Sequence, residues 1–223
     1  MLITPETNSG ETDLLNQNIS NIEKETDQDN LEEKDNIDIN IGLDKSKPKD
    51  PSEDYFSEIK FESMNLSKGV LKALKESNFE VATEIQSKCI PEAMRGCDLM
   101  GAAKTGSGKS LAFLIPAVEM LIRTNFSDKN GTGVIVLTPT RELAIQLCQV
   151  AKDLLKYANK KVAVVMGGNN RKTEVEKLTK GVQLLIATPG RLIDHLKDRK
   201  QYLNIKNLQM LIIDEADAIL KIG

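Results

Sequence analysis

The stretch that decides the fold is a glycine-rich loop, Ala102-Ala103-Lys104-Thr105-Gly106-Ser107-Gly108-Lys109-Ser110. It follows an apolar run and precedes a helical pattern, which is the arrangement of a phosphate-binding loop. Glycines let the backbone turn its N–H groups toward phosphate oxygens, and the positive end of the next helix favours an anion there. The residues expected to bind a nucleotide are Ala103, Lys104, Thr105, Gly106, Ser107, Gly108, Lys109 and Ser110.

A second motif offers the acidic half of such a site, Met210-Leu211-Ile212-Ile213-Asp214-Glu215-Ala216-Asp217. We expect Asp214 and the Ser110 hydroxyl to hold Mg²⁺, and Glu215 to orient or activate the attacking water. An ordinary helix cap with a first-turn Glu is the structural alternative for the acids. The two motifs together favour NTP hydrolysis, with Lys109, Asp214 and Glu215 as candidate catalytic residues.

Charge divides the 223 residues into two parts. Residues 1–54 contain 15 acidic residues, 5 lysines and no aromatic residue, and they show no sustained apolar period. Such a segment cannot bury enough apolar surface to offset its chain entropy, so we predict a disordered acidic arm, either a passive tail or a charge-regulated interaction segment. Residues 55–223 carry a net charge of +7, which suits an anionic partner.

Short apolar runs alternate with helical patterns in residues 55–223 and predict an α/β fold. The runs cover residues 99–103, 134–138, 161–166, 182–188 and 209–213. Continuous apolar strands separated by helices, the clearest at 141–157, are typical of a mostly parallel sheet with helices on both faces. Polar or glycine-rich residues follow every run, so we expect all five segments to line one edge of the sheet, where α/β proteins bind ligands.

Composition also bounds the partners. Cys89, Cys97 and Cys148 lack metal-ligand spacing, which favours reduced thiols. The longest apolar stretch, residues 111–122, is shorter than the ~20 residues of a membrane span. We expect no membrane partner.

Residues 55–223 resemble the DEAD-box RNA helicases. The resemblance rests on the acidic string at 214–217, the loop at 103–110, Thr138-Pro139-Thr140-Arg141-Glu142-Leu143-Ala144, Thr188-Pro189-Gly190-Arg191 and Phe79-Glu80-Val81-Ala82-Thr83-Glu84-Ile85-Gln86. It implies a RecA-like P-loop domain that uses ATP rather than GTP. It also implies that Gln86 reads adenine within the segment that Phe79 opens, and that Phe61 supports the base.

The same resemblance implies sequence-independent binding of RNA through its phosphates, because two helix starts each carry an arginine. The implied RNA-binding residues are Pro139, Thr140, Arg141, Gly168, Thr188, Gly190 and Arg191. A solvated first helical turn is the structural alternative for Arg141. His195, the only histidine, is expected to be a partly exposed packing residue.

Within the family, the greatest likeness is to the nucleolar ribosome-assembly subgroup of the helicase-associated-with-Set-one type. Its strings are Gly101-Ala102-Ala103-Lys104-Thr105, Leu111-Ala112-Phe113-Leu114-Ile115-Pro116, Gly190-Arg191-Leu192-Ile193-Asp194-His195-Leu196 and Lys206-Asn207-Leu208. The likeness implies a nuclear, nucleolar location and pre-ribosomal particles as partners, with the cytoplasm as the alternative. The other functions to be separated are a non-catalytic RNA-binding or interaction fragment and a DNA helicase of the same superfamily.

The resemblance also implies sequence beyond Gly223. The family continues with a Ser-Ala-Thr segment and a second RecA-like domain that supplies arginine fingers, worth roughly 10³–10⁵ in rate in comparable NTPases. We therefore expect the 223 residues, as a C-terminally incomplete first domain, to bind ATP weakly and hydrolyse it little. Ala218 stands where the family has Arg or Lys, Asn78 where it has Gly, and Ser110 where it has Thr.

Overall fold

The computed structural model describes residues 37–40, as backbone, and residues 56–222. The rest of the predicted disordered arm lies outside the described residues. The strands are β1 (Ile37–Asn40), β2 (Phe56–Lys60), β3 (Val81–Thr83), β4 (Leu99–Ala102), β5 (Val134–Leu137), β6 (Val162–Val165), β7 (Leu184–Ala187) and β8 (Met210–Ile213). The helices are α1 (Lys68–Glu76), α2 (Glu84–Met94), α3 (Lys109–Arg123), α4 (Arg141–Leu154), α5 (Arg171–Thr179), α6 (Pro189–Leu196) and α7 (Ala216–Ile222).

The central sheet is parallel and has the order β6-β7-β5-β8. Its register pairs Val134 of β5 with Leu184 of β7 and with Met210 of β8. Every residue of β7 is buried, which agrees with a strand covered by helices on both faces. The predicted α/β fold is therefore confirmed, and each of the five apolar runs contains a strand.

Two core clusters pack against opposite faces of this sheet. Val134 and Val136 of β5 belong to the larger cluster, which includes residues of α1, α3 and α4. Ile135, between them, belongs to the second cluster with Leu178 of α5 and Leu192 of α6. The alternation follows from the two-residue period of a strand. Burying each such aliphatic side chain contributes roughly 1.5–3 kcal/mol.

Strand β4, which leads into the glycine-rich loop, lies outside the central sheet, whereas the sequence predicted that all five apolar runs belong to one sheet. It pairs in parallel with β1, from Ile37 opposite Leu99 to Asn40 opposite Ala102, in a separate two-stranded sheet. Residues 37–40, inside the segment predicted to be disordered, therefore form a strand, and disorder of the arm as a whole stays a prediction. Strand pairing uses backbone N–H and C=O groups, so an edge strand can pair with a segment whose side chains show no strong strand pattern.

A third, antiparallel pair joins β2 to β3, with an irregular register between Phe56 and Lys60. Strand β3 is followed directly in the chain by α2, which carries Gln86.

No helix in the described part of the chain is both long and apolar enough to cross a membrane. The predicted helix at 141–157 is confirmed as α4, which ends at Leu154.

Candidate functional site

The polar segments after three strands meet at one edge of the central sheet. Backbone hydrogen bonds continue past the strand ends: Thr138 N donates to Ala187 O, Thr188 N to Val165 O, and Asp214 N to Leu137 O, at 2.9–3.1 Å. These bonds keep the three segments side by side because each is tied to the neighbouring strand. The prediction of a common edge is confirmed for the strands of this sheet.

The glycine-rich loop joins β4 to the start of α3. Gly106 and Gly108 have φ values of +81° and +87°, a left-handed conformation that glycine adopts without a steric penalty. Gly108 is the residue that caps α3, and the helix begins at Lys109. The loop therefore presents the N-terminus of a 15-residue helix, whose free N–H groups and dipole attract an anion.

Lys109 closes the loop on itself. Its Nζ donates hydrogen bonds to the backbone oxygens of Ala103, at 2.5 Å, and Lys104, at 2.9 Å. A phosphate is a stronger acceptor for an ammonium group than a neutral carbonyl, because the bond is then assisted by both charges. A phosphate entering the loop would therefore compete well for Lys109.

Gln86 connects the loop to the start of α2. It is 3% exposed; its Oε1 accepts from Thr83 N at 2.8 Å, and its Nε2 donates to Gly108 O at 3.0 Å. A Cβ added at Gly108 would lie 2.3 Å from Gln86 Nε2, so glycine is needed for space as well as for conformation. The amide retains one donor and one acceptor site, which an adenine edge could use.

Buried hydroxyls around the loop provide a test of fit for a phosphate group. Ser107 Oγ, in the loop itself, is buried and has no hydrogen-bond partner among residues 56–222. Thr138 Oγ1, at the end of β5, is likewise buried without a partner in that range. Buried polar groups are normally hydrogen-bonded, so these atoms fit a site completed by a polar ligand or its water.

The acidic motif lies at the end of β8. Burial raises the pKa of Asp214, and the neighbouring charge of Glu215 raises it further, whereas Lys109 lowers it. The backbone N–H of Glu215 donates to Asp214 Oδ1 at 3.1 Å, and this hydrogen bond also lowers the pKa of the carboxyl. Glu215 has a φ of +50°, a left-handed conformation that strains a non-glycine residue and is most often kept at functional sites.

The side chains present suit Mg²⁺ better than a metal held entirely by protein. Within residues 37–40 and 56–222, no group of three or more His, Cys, Asp or Glu side chains is placed to hold a metal. Mg²⁺ in phosphate sites keeps several waters and uses one or two protein oxygens together with phosphate oxygens. The Ser110 hydroxyl and the Asp214 carboxylate fit that donor set.

The predicted adenine-side aromatics are placed differently from each other. Phe61 is 2% exposed and packs in the larger core cluster, whereas Phe79 is 45% exposed. Both line a shallow cavity together with Leu74. The burial of Phe61 does not favour the predicted role in supporting the base, and that role stays a prediction. Asn78 has a φ of +60°, a region that Asn tolerates better than most residues, which explains how it stands in the family's glycine position.

Arg141 and the turn after β6 form the candidate RNA surface. Arg141 is exposed at the start of α4, where Thr140 Oγ1 accepts from Leu143 N at 3.3 Å. A Cβ added at Gly168, whose φ is +86°, would lie 2.4 Å from Arg141 Nη1. The guanidinium therefore lies directly against the glycine turn, and the left-handed backbone at Gly168 favours glycine there.

The side chain of Arg191 is less exposed to solvent than the prediction of direct phosphate contact implies. Its side chain is 13% exposed; Nε donates to Glu174 Oε2 at 2.8 Å, and Nη2 donates to Asn169 O at 2.5 Å. Pro189 begins α6 after Thr188, and Gly190 next to it is exposed. The structure thus brings the predicted RNA segments together around residues 166–169.

Sequence reasoning missed Glu174 and underestimated His195. Glu174 is 4% exposed on α5, and His195 is 1% exposed rather than partly exposed, with its Nε2 2.8 Å from Glu174 Oε2. The available signal was weak, because a Glu in the first turn of a polar helix normally faces solvent. The strong apolar periodicity of α6 indicated a buried face for His195 but named no partner.

A comparison with known protein families covers both the glycine-rich loop and the acidic motif. The profile of the family described as DEAD/DEAH box helicase matches residues 83–223, which is more than half of the chain. The chain belongs to this family. Its predicted membership of the DEAD-box group is confirmed.

Several curated relatives are similar to this DEAD/DEAH box helicase chain. The ATP-dependent RNA helicase has1 of Schizosaccharomyces pombe is 56% identical over 164 residues, covering 74% of this chain and 28% of the relative. The ATP-dependent RNA helicase HAS1 of Saccharomyces cerevisiae is 54% identical over 164 residues, covering 74% and 32%. The DEAD-box ATP-dependent RNA helicase 27 of Arabidopsis thaliana is 58% identical over 161 residues, covering 72% and 25%.

These matches confirm the expected likeness to the helicase-associated-with-Set-one subgroup. The chain spans less than a third of the length of these curated relatives.

Proposed function

We propose that this chain is the nucleotide-binding part of an ATP-dependent RNA helicase, and that it binds ATP with Mg²⁺ and holds single-stranded RNA by its phosphates. One observation carries the proposal. Gly106 and Gly108 turn left-handed directly before the N-terminus of α3, and Lys109 Nζ is folded onto the carbonyls of Ala103 and Lys104, which is the form of a phosphate-binding loop. The acidic motif stands at the end of β8, where Asp214 N donates to Leu137 O at 2.9 Å.

Each side chain has a distinct part in the proposed site. Lys109 would exchange its carbonyl partners for β- and γ-phosphate oxygens, and Ser110 and Asp214 would hold the metal. Mg²⁺, when bound, neutralises charge that develops on the transferred phosphoryl group. Glu215 would accept a proton or a hydrogen bond from the attacking water, and Gln86 would use its remaining donor and acceptor on adenine.

The RNA surface is supported by the exposed Arg141 guanidinium and by the N-termini of α4 and α6. Both helix starts follow central strands at the same sheet edge, so their positive ends lie on one side of the molecule. Contacts of this kind hold phosphates and carry no base preference.

A role in ribosome assembly and a nucleolar location are the finer part of the proposal, with pre-ribosomal particles as partners. The likeness to the HAS1 relatives supports them. A fluorescent fusion of the protein would be compared with a nucleolar marker in cells. A cytoplasmic distribution would contradict the location.

The decisive test is ATP binding and hydrolysis by this chain, with and without single-stranded RNA, beside Glu215→Gln. We expect ATP–Mg²⁺ binding in both proteins and slow turnover that RNA raises in the parent. Glu215→Gln should lower turnover by roughly 10²–10⁴ if Glu215 acts as the base. Glu176→Gln, the same change at an exposed acid of α5 outside the ATP site, is the matched control. Equal turnover in parent and Glu215→Gln would contradict the assignment.

A non-catalytic RNA-binding module is the second candidate. It is favoured by the hydrogen bonds of Lys109 Nζ to the carbonyls of its own loop, which occupy the ammonium group. RNA affinity that is identical with and without ATP, in a chain that shows no turnover, would support this candidate. Competition between RNA and DNA strands of one sequence separates both from a DNA helicase.

A further inference from the structure

Glu174 is a buried carboxylate at the centre of the candidate RNA surface. Its Oε2 receives hydrogen bonds from Arg191 Nε at 2.8 Å and lies 2.8 Å from His195 Nε2. Its Oε1 accepts from the backbone N of Met166 at 3.2 Å. A buried charge is tolerated only when it is paired and hydrogen-bonded, and these partners satisfy that condition.

The partners of Glu174 come from both segments that face the proposed RNA. Met166 directly precedes Gly167 and Gly168, against which the Arg141 guanidinium lies. Arg191 belongs to the first turn of α6 and reaches back to Asn169 O. One carboxylate therefore links the glycine turn, 166–169, to the start of α6.

The contacts of Arg191 leave part of its guanidinium available. Arginine has five N–H donors, of which Nε–H is given to Glu174 and one Nη2–H to Asn169. The remaining donors lie in a plane that the carboxylate holds in place. A donor group oriented before binding loses less entropy when a phosphate arrives.

We propose that Glu174 is a positioning residue that orients Arg191 and the 166–169 turn for one RNA phosphate. The inference rests on the proposed RNA binding. His195 contributes through Nε2, which lies 2.8 Å from Oε2, the same carboxylate oxygen that Arg191 contacts, while its ring packs edge-on to Tyr202, 5.8 Å between centroids.

The test is titration of labelled single-stranded oligouridylate with the parent chain, Glu174→Gln and a control, Glu176→Gln. Glu176 is an exposed acid on the same helix, so its variant makes the same charge change without touching Arg191. We expect Glu174→Gln to weaken RNA binding about tenfold, the size of a lost charge-assisted hydrogen bond, and to leave ATP affinity unchanged. Glu176→Gln should bind RNA as well as the parent, or slightly better.

A double-mutant cycle shows whether Glu174 acts through Arg191. In an Arg191→Ala background, Glu174→Gln should cause less than a twofold further loss. Full multiplication of the two losses, or an RNA affinity of Glu174→Gln within twofold of the parent, overturns the inference. If Glu174→Gln unfolds, Arg191→Lys replaces it: this variant keeps the charge but lacks the fork that Glu174 holds, and parent-like RNA affinity in it also overturns the inference.

Failure of the proposed function gives a different result from failure of this inference. A parent chain with no measurable affinity for oligouridylate removes the RNA contact and the inference with it. A parent that binds RNA, with a Glu174→Gln variant that binds equally, overturns only the positioning role.

Discussion

The glycine-rich loop and the glycine turn at 166–169 both hold a cation against the backbone, but they do so by opposite means. In the loop, Lys109 bonds to carbonyls only five and six residues before it. At the turn, Arg141 and Arg191 arrive from two other helices, and a buried acid from a third secures the second of them. The loop is a local device, whereas the turn depends on packing of α4, α5 and α6.

This difference has a functional meaning. Lys109 is held by neutral acceptors that a phosphate can replace, so the loop is ready to change partners. Arg191 is held by a buried carboxylate that solvent ions do not reach easily, so we expect its orientation to stay the same when ligands change. We expect substitutions in the loop to affect nucleotide binding alone, and substitutions at the turn to affect RNA binding alone.

The largest expected effect is on ATP affinity, and it separates the glycine-rich loop from the turn at 166–169. Lys109→Ala should reduce ATP affinity about 100-fold or more, because removing one partner of a charged contact costs roughly 3 kcal/mol. RNA affinity measured without nucleotide should stay within twofold of the parent. Calorimetry with ATP–Mg²⁺ and oligouridylate titration check both values. Loss of RNA binding in Lys109→Ala would show that the regions are coupled.

The next effect tests the local geometry of the loop. Gly108→Ala should destabilise the fold by roughly 1–3 kcal/mol, because the new methyl group meets Gln86 Nε2 and the backbone is left-handed. Gly106→Ala is the matched control: its backbone is also left-handed but nothing lies within 4 Å of the new Cβ, so about 1 kcal/mol is expected. Urea unfolding measures both. Equal losses would mean that contact with Gln86 does not restrict the loop.

The turn is tested by salt dependence. Arg141→Ala should weaken RNA binding and reduce the slope of log K against log[salt] by about 0.7, the value for one lost single-strand phosphate contact. ATP affinity should not change. Lys152→Ala, an exposed cation near the other end of α4, is the control for a general loss of charge. An unaltered slope in Arg141→Ala would leave that side chain a solvated surface group.

The smallest effect concerns Asp214 and pH. Burial is the chief reason why the pKa of Asp214 is raised in the folded state. The contribution of the protonated carboxyl to the free energy of unfolding is therefore complete below the ordinary pKa of 3.8, and it is lost as the pH rises through the folded-state pKa. Asp214→Asn should therefore raise Tm at pH 7 by no more than about 3 °C. The gain should shrink as pH falls toward 3.8.

Thermal unfolding across pH, with the exposed Asp217→Asn as control, measures the effect of Asp214. A gain at pH 7 that persists at low pH would contradict the assigned cause. Adding ATP–Mg²⁺ should stabilise the parent more than Asp214→Asn, because the variant lacks the carboxylate that would hold the metal.

Sequence reasoning reached furthest where the relevant physics is local. The glycines at 106 and 108 predicted a tight turn, which the structure forms with left-handed glycines, and Pro189 and Thr140 predicted helix starts that the structure confirms. It reached less far where a partner is distant in sequence. Gln86 is joined to Gly108 across 22 residues, and no local pattern indicates that contact.

What the sequence alone determined about this protein is its family, its α/β class and the segments that carry chemistry. Short-range rules of turn, cap and strand suffice for these, since each concerns residues close together in the chain. Only the tertiary structure decided that β4 pairs with β1, that Phe61 is buried, and that Glu174 faces Arg191 and His195. The reason is physical: burial and ion pairing depend on which helices pack together, and a charged residue in a polar helix has the same local sequence whether it faces water or the core.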